Sequence, residues 1–246
     1  MIGIAGQRMT DVRSEKLSGV ILGWERTTNA VKASVNCSGT FVDEPSVKHA
    51  LSALQLGPIH FQRNNVIACE GDAADYIFVV VSGVVRSCKP FENGGRTVVA
   101  FHLPGDLFGW SDQRYSLSVE AASNAIVLFL KRDALVSIAA QESKVAAFLL
   151  NIATNELRRA QEHAMLMSRE AKCRVAAFLT ELSKRLGIAG HINLSMSHHD
   201  IADYLGLTIE TLSRTITELE RAKIITRTSR RGLIVQRSSS LVSLMD

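Results

Sequence analysis

The chain has 246 residues, of which 46% are hydrophobic and 21% are charged, and its formal net charge is +4. This length suits two small domains, and no apolar run approaches the roughly 20 residues that a membrane-spanning helix needs. The N-terminus also lacks the basic start and apolar core of a secretory signal, so we expect a cytoplasmic protein that does not enter a membrane.

The positive charge is concentrated towards the C-terminus. Residues 1–168 contain 16 Lys+Arg and 16 Asp+Glu, whereas residues 169–246 contain 12 basic and 8 acidic residues. Such a local excess is typical of a DNA-binding domain, because neutralisation of phosphates dominates affinity for DNA. A basic segment that only aids solubility would show the same balance, so charge alone leaves the choice open.

Residues 1–45 show no sustained hydrophobic period and are predicted to form an N-terminal extension. Only one of the four cysteines, Cys37, lies in this segment, and no two cysteines form a Cys-x-x-Cys pair. That scatter disfavours both a disulfide framework and a metal site. Each thiol is instead expected to be buried and inert, as free cysteines commonly are.

Residues 46–131 are predicted to form a small β domain that begins with a short helix at 46–56. Short apolar runs alternate with glycine turns, and Asn93-Gly94 is a strong hairpin signal. Strands at this spacing predict an antiparallel barrel or jelly roll. The apolar runs cover residues 75–81, 83–88, 97–103 and 125–130.

Residues 132–168 have a helical period throughout and are predicted to form one long helix. Its apolar residues recur at alternating spacings of four and three, which is the seam of a two-stranded coiled coil. A second stripe of Val145, Leu149 and Ile152 would cover the β domain. A helix buried within its own chain shows a similar pattern, so intrachain packing is the alternative. The seam residues are Ala146, Leu150, Ala153, Leu157, Ala160 and Ala164.

Residues 169–246 are predicted to form a winged helix-turn-helix domain. Ser197 and Asp200 have the spacing of a capping box at the start of one helix, and Thr208 is a good N-cap for the next. Gly206 marks the turn between them. Apolar residues give each helix one buried face: Ile201, Ala202 and Leu205 in the first, and Leu212, Ile216 and Leu219 in the second. A helix at 169–186, a strand at 191–196 and a hairpin at 222–236 complete the predicted domain.

The second helix of this pair has a polar face suited to reading bases. Glu210, Ser213, Arg214 and Thr217 fall at i, i+3, i+4 and i+7, so they share one side. Arg can bond guanine N7 and O6, Glu can accept from cytosine N4, and Ser or Thr can contact a base edge or a phosphate. A solvated amphipathic helix has the same pattern, but the capped helix before it and the basic hairpin after it favour a helix-turn-helix.

The segment Gly206–Arg214 (GLTIETLSR) resembles the recognition helix of the CRP/FNR superfamily of bacterial transcription regulators, in particular its FNR and FixK branch. That branch carries Glu, then Ser-Arg three and four residues later. The cAMP-responsive CRP branch has Arg where this chain has Ile209 and Gly where it has Ser213. The resemblance implies that Glu210, Ser213 and Arg214 read a TTGA-type half-site, with Arg214 on the guanine.

Further residues of this region are predicted to contact the DNA backbone. Arginines on a loop beside a recognition helix suit phosphate contacts, which position the protein without specifying sequence. A solvated turn would look the same. The predicted backbone contacts are Ser197, Thr208, Thr217, Arg230 and Arg231.

The β segment is similar to the cyclic-nucleotide-binding fold through turns such as Glu70–Asp72 and Pro104–Gly109. Members that bind a nucleotide continue with a Glu for the ribose and later an Arg-Ser for the cyclic phosphate. Here Trp110 and Tyr115-Ser116 stand at those places. Because a cyclic phosphate needs a fixed cation, we expect the fold without cAMP binding.

No other cofactor is expected. In the FNR branch proper, closely spaced N-terminal cysteines bind an iron–sulfur cluster, which requires four thiolate ligands; this chain has only Cys37 there. His49, His60 and His102 are scattered, so the sequence gives no pair of haem ligands. We therefore expect neither iron–sulfur cluster, haem nor metal ion.

The prediction is an α+β protein with a sensor barrel at 46–131, a dimerisation helix at 132–168 and a DNA-binding domain at 169–246. It would be a homodimeric transcription activator that binds double-stranded DNA at TTGA(T)-N4-(A)TCAA and contacts RNA polymerase. The resemblance implies low-oxygen respiration or nitrogen fixation as its pathway. The alternative is a ligand-gated sensor whose barrel binds a small effector first.

Enzymatic catalysis and control by oxidation are two further classes of activity. The sequence contains no nucleophile elbow, P-loop or paired carboxylate motif, so we do not expect an enzyme. Oxidation of Cys173, on the helix that supports the DNA-binding domain, is a minor hypothesis for control; its place beside Ala177 also fits a core residue.

Overall fold

The structure, a computed structural model, describes residues 55–92, 94–186, 191–229 and 232–236, together with Leu241 and Leu244. The predicted extension at 1–45, with Cys37, lies outside the described residues. So does the predicted helix at 46–56, except for Gln55 and Leu56, which belong to a strand rather than a helix.

The N-terminal domain is a sandwich of two four-stranded antiparallel sheets. Its strands are β1 Gln55–Phe61, β2 Val66–Ala68, β3 Tyr76–Ser82, β4 Val85–Pro90, β5 Arg96–His102, β6 Leu107–Phe108, β7 Ser118–Ala121 and β8 Ala125–Lys131. The first sheet has the order β1-β8-β3-β6 and the second the order β2-β7-β4-β5. This arrangement confirms the predicted jelly-roll class. Asn93, half of the predicted hairpin signal between β4 and β5, lies outside the described residues.

The predicted long helix at 132–168 is two helices, α1 Arg132–Gln141 and α2 Ser143–Leu166. Between them the backbone of Glu142 is extended, with φ −117° and ψ 102°. The break allows Leu135 of α1 and Val145 of α2 to join the same apolar cluster outside the first sheet. One straight helix would hold these two residues about 15 Å apart along its axis.

The central strand β3 contributes to two apolar clusters, one on each of its faces. Phe78 and Val80 face the second sheet, whereas Ile77, Val79 and Val81 pack in the cluster with α1 and α2. A strand that is covered on both faces reads as a continuous apolar run rather than an alternating one. The predicted stripe of α2 also lies here: Val145 is buried, and Leu149 and Ile152 pack against the cluster.

The C-terminal domain surrounds a further apolar core. Its elements are α3 Ala171–Leu186, β9 His191–Asn193, α4 His198–Tyr204, α5 Ile209–Arg221, β10 Ile225–Arg227 and β11 Gly232–Val235. The strands form one sheet in the order β10-β11-β9. The hairpin starts later than predicted, because Ala222 caps α5 and Lys223 adopts φ +54°. Among the described helices, none is long and apolar enough to cross a membrane.

Candidate nucleic-acid interface

The helix pair α4 and α5 begins at the two predicted caps. Ser197 Oγ accepts a hydrogen bond from the Asp200 amide at 3.0 Å, and Thr208 Oγ1 accepts one from the Thr211 amide at 3.1 Å. Such caps satisfy amides that have no partner within the helix. The Asp200 carboxylate departs from the capping-box prediction, because it accepts from the Ser197 hydroxyl at 2.6 Å and from two arginines of the sandwich.

A side chain of α3 stabilises the turn between the two helices. Gly206 has φ +60°, a left-handed conformation that favours glycine. Arg174 Nη1 donates to the carbonyl oxygens of Leu205 at 3.0 Å and Gly206 at 3.3 Å. Sequence patterning did not single out Arg174, because nothing local shows that its side chain reaches a turn about 30 positions away.

The apolar faces of both helices pack as predicted. Every one of the six residues named for these faces is buried, so α4 and α5 are fixed against the core of the domain. They are Ile201, Ala202, Leu205, Leu212, Ile216 and Leu219.

The other side of α5 presents the predicted base-reading residues together. Glu210, Ser213 and Arg214 are all exposed. The pKa of Glu210 is lowered by its own backbone amide and by the Thr208 hydroxyl, so the side chain is an ionised acceptor near neutral pH. The face can therefore offer one acceptor, one hydroxyl and one cation to a partner.

The predicted backbone-contacting residues are placed less uniformly. Thr208 is exposed at the cap of α5, and Thr217 is half-buried with its hydroxyl on the Ser213 carbonyl oxygen at 2.9 Å. Ser197 is half-buried, and its hydroxyl already donates a hydrogen bond to the Asp200 carboxylate. Arg230 and Arg231 lie outside the described residues.

Ile209 is a surface residue that the sequence-based site assignment did not include. It occupies the first turn of α5 beside Glu210 and is 42% exposed. Sequence comparison identified it only as a departure from the CRP branch. An exposed branched apolar side chain here is able to contact the methyl group of thymine.

The predicted seam lies on the uncovered side of α2. All six of its residues, Ala146, Leu150, Ala153, Leu157, Ala160 and Ala164, are exposed in the single chain. Leu150 is 65% exposed and Leu157 is 59% exposed. The face that packs on the sandwich, with Val145 and Phe148, is a different one. Cys173, the predicted redox residue, is 8% exposed on α3.

A cavity of about 430 Å³ lies where the sandwich, α2, α3 and α4 meet. Among the described residues that line it, the arginines are Arg159 and Arg185, and both pair with Asp106. The Tyr115 hydroxyl donates to the Tyr76 carbonyl oxygen at 2.7 Å, and burial raises its pKa to about 12.

Two further polar side chains, Arg114 of the sandwich and His163 of α2, lie near this cavity. Arg114, adjacent to Tyr115, donates to the Gly71 carbonyl oxygen at 2.6 Å and does not line the cavity. His163, which does line it, is stacked on Tyr204 with ring centroids 4.2 Å apart. Its Nδ1 atom is buried and has no hydrogen-bond partner among the residues that the structure describes. The wall of the cavity therefore combines aromatic rings with polar and charged side chains.

Comparison with known proteins matches both halves of this architecture. Residues 58–142 match the model of the cyclic nucleotide-binding domain, and residues 173–244 match that of the Crp-like helix-turn-helix domain. The nitrogen fixation regulation protein FixK of Azorhizobium caulinodans is 43% identical over 211 residues, which are 82% of this chain and 85% of that protein. FixK of Rhizobium meliloti is 35% identical over 204 residues, 80% of this chain and 93% of its own.

A solved structure gives the same result at the level of the fold. FixK2 from Bradyrhizobium japonicum superposes with a TM-score of 0.74 at 36% sequence identity. The superposition covers 78% of this chain and 98% of that one. Both domains therefore share one arrangement of elements with FixK2.

Proposed function

Because this chain belongs to the Crp-type transcription regulators of the FixK and FNR kind, we propose that it is a homodimeric activator that reads a TTGAT-N4-ATCAA-like palindrome. Its helix-turn-helix domain binds DNA, and the protein is a regulator rather than an enzyme. The observation that carries the proposal is the common exposure of Glu210, Ser213 and Arg214 on one face of a capped and firmly packed α5.

The chemistry of that face fits the proposed half-site. Arg214 would bond the guanine of TTGA bidentately, and the ionised Glu210 would accept from the amino group of the cytosine opposite. Ser213 would contact a base edge or a phosphate. Thr208 and Thr217, with Ser197, Arg230 and Arg231, would hold the backbone and so fix the register of α5 in the groove.

The exposed seam of α2 supports the dimer. Its apolar and small residues follow the four-and-three spacing of a coiled coil and are uncovered in one chain, so a second copy of α2 is the partner that matches their pattern. A two-fold axis along α2 would place two recognition helices in successive major grooves, about 10 base pairs apart. The palindromic site follows from that symmetry.

The relatives suggest the biological role. Two similar proteins are named for nitrogen fixation regulation, and we infer that this chain controls genes of that kind or of low-oxygen respiration. As an activator it would contact RNA polymerase, and as a binder of bacterial chromosomal DNA it would act in the cytoplasm. We infer that no iron–sulfur cluster, haem or cyclic nucleotide is needed for this activity.

A mobility-shift titration of ligand-free protein tests the proposal. The probes are a TTGAT-N4-ATCAA duplex and a matched duplex in which both guanines are substituted. Tight binding to the first and much weaker binding to the second is the expected result. Equal binding to both duplexes would rule out the assigned half-site.

The cavity supports one alternative, a ligand-gated regulator. The rings of Phe101, Phe108, Trp110 and Tyr204 in its wall would suit a small planar effector. This alternative predicts that the purified protein discriminates between the two duplexes only after a small-molecule fraction of the cell is added. Selective binding without any addition excludes it.

Control by oxidation of Cys173 is the weakest of the candidate modes. Its burial limits the access of an oxidant, since reactive cysteines are typically exposed and near positive charge. The test is peroxide treatment of a Cys173→Ser variant. If that variant still loses DNA binding on treatment, another residue is responsible.

A further inference from the structure

The first helix of the helix-turn-helix lies directly against the sandwich. It docks on β5, which among the described strands pairs only with β4. Asp203 Oδ2 accepts a hydrogen bond from the Val98 amide of β5 at 2.8 Å. The ring of Tyr204 lies 5.2 Å from that of Phe101 on the same strand. One face of α4 thus packs along the outermost described strand of the second sheet.

Beside these contacts, four charged side chains form one cluster across the domain boundary. Arg86 on β4 donates to Asp200 Oδ2 at 2.8 Å, and Arg96 on β5 donates to Asp200 Oδ1 at 3.0 Å. Both arginines also pair with Glu120 Oε2 on β7, at 2.7 Å and 2.6 Å. The cluster contains two positive and two negative groups, and Asp200 is its contribution from the DNA-binding domain.

Burial makes this cluster selective for one orientation of the two domains. Arg86 is 1% exposed and Asp200 is 2% exposed. Burial alone would raise the pKa of Asp200, but the Ser197 hydroxyl and the two guanidinium groups hold it below its usual range. A buried ion pair gives little net stability over an apolar contact, yet it strongly penalises any arrangement in which one partner is missing. The cluster therefore selects one orientation of the two domains.

A second ion pair ties α3 to the sandwich at a separate place. Asp106, in the turn before β6, pairs with Arg185 of α3 and with Arg159 of α2. The carboxylate of Asp106 also accepts from the Leu103 amide at 2.7 Å, so the turn itself is fixed. The DNA-binding domain is consequently held at two points, and a rotation about either one would break the other.

The docked orientation leaves the recognition helix accessible. Asp200, Asp203 and Tyr204 of α4 face the sandwich, whereas Glu210 and Arg214 of α5 remain exposed. A contact that inhibited DNA binding by masking would instead cover that face. The docked arrangement therefore leaves the base-reading face of α5 open to DNA.

We propose that Asp200, Arg86 and Arg96 are positioning residues, which lock the DNA-binding domain against the sandwich in the orientation that binds DNA. They do not touch DNA themselves. By holding the domain through protein side chains, the cluster makes the active orientation independent of an effector. The inference rests on the proposed function, since the orientation matters only if two copies of α5 read one palindrome.

Two single variants and their combination test the proposal in the full-length protein. Arg96→Gln removes the two pairs that Arg96 makes with Asp200 and Glu120, and because this side chain is 35% exposed its loss leaves no deep hole. Asp200→Asn removes it from the other side and keeps the amide that Ser197 caps. Each is expected to raise the Kd for the specific duplex at least about fivefold, the lower end of typical coupling between sites.

The double variant and a second measurement separate positioning from general destabilisation. If both residues act through one contact, the double variant loses little more affinity than either single variant. Trypsin cleavage after the exposed Arg169, between α2 and α3, should also become faster because the docked state opens more often. Lys89→Gln, which breaks the Lys89–Glu70 pair within the sandwich, is the matched control and should change neither quantity.

Each remaining outcome decides the proposal. An unchanged Kd and cleavage rate in Arg96→Gln would overturn it, and tighter DNA binding would show that the docked arrangement is inhibitory. If Asp200→Asn failed to fold by circular dichroism, Arg96→Gln alone would decide. If wild-type protein did not discriminate between the duplexes, the proposed half-site would fail, and the cleavage rate at Arg169 would still decide whether the cluster locks the domains.

Discussion

Arg214 is the residue from which we expect the largest contribution to sequence reading. It is exposed on α5, four residues after the ionised Glu210. We predict that Arg214→Ala weakens binding to the specific duplex by about 1–3 kcal/mol and relaxes the preference for guanine. Competition between intact and guanine-substituted duplexes measures both effects.

The control for Arg214 is an arginine far from the recognition helix. Arg158 on α2 is exposed and pairs with Glu162 at 2.6 Å, so Arg158→Ala removes the same charge without touching the predicted interface. It should leave the ratio between the two duplexes as in wild type. If Arg214→Ala also left that ratio unchanged, Arg214 would not read the guanine.

His102 sets a pH dependence of stability. It is 5% exposed, 2.8 Å from Ser87 Oγ, and burial lowers its pKa from 6.5 to about 4. Below about pH 6.5 the unfolded chain binds a proton that folded His102 does not, so stability falls as pH drops towards 4. Urea unfolding across this range should show the decline, of up to about 3 kcal/mol.

A variant isolates the contribution of His102 to that decline. His102→Gln removes the titrating group and is expected to flatten the dependence of the free energy of unfolding on pH between about 6.5 and 4. His60→Gln, at an exposed position of β1, should retain the wild-type slope. An identical slope in the His102 variant would place the acid-sensitive group elsewhere.

At the scale of elements, the proposed dimer depends on the seam of α2. In the proposed dimer, Leu157→Glu would bring two carboxylates together inside the seam. There the like charges would repel each other and lose their hydration. We predict a monomer in sedimentation analysis and a large loss of affinity for the palindrome. Asn155→Glu adds the same charge on an exposed position away from the seam and should remain dimeric.

Variants of Gly206, in the turn of the helix-turn-helix, separate backbone strain from contact with Arg174. Gly206 has φ +60°, and an added Cβ would lie 3.3 Å from Arg174 Nη1. Gly206→Ala should destabilise the domain by about 1–2 kcal/mol, since alanine disfavours left-handed backbone. Gly206→Asn, which tolerates that conformation better, should lose less in thermal unfolding. Equal losses would show that contact with Arg174, rather than backbone strain, dominates.

The elements that depend on local sequence were predictable. The caps at Ser197 and Thr208, the buried faces of α4 and α5 and the sandwich strands follow from side-chain spacing and turn residues. The break at Glu142 was not predictable, because the helical period continues across it and only packing on the first sheet shows where the chain must turn. The hydrophobic pattern of a helix does not show where a sheet formed by other parts of the sequence lies.

At the scale of the molecule, the contacts between domains lay beyond sequence reasoning. Asp200 is 114 positions from Arg86, and as a member of a capping box it has a sufficient local explanation. Only the fold brings β4, β5 and α4 together. The site residues of α5, by contrast, came from a family resemblance and helical spacing, and their assignment to bases remains a prediction.

We propose a two-fold regulator whose domains are locked by protein contacts and whose recognition helices are exposed. Selection of binding sites from random duplexes by ligand-free protein tests this claim most directly, because it presumes no sequence. The account predicts enrichment of a palindrome with TTGAT and ATCAA half-sites separated by four base pairs. Enrichment of an unrelated or asymmetric sequence, or no enrichment without an added small molecule, would contradict it.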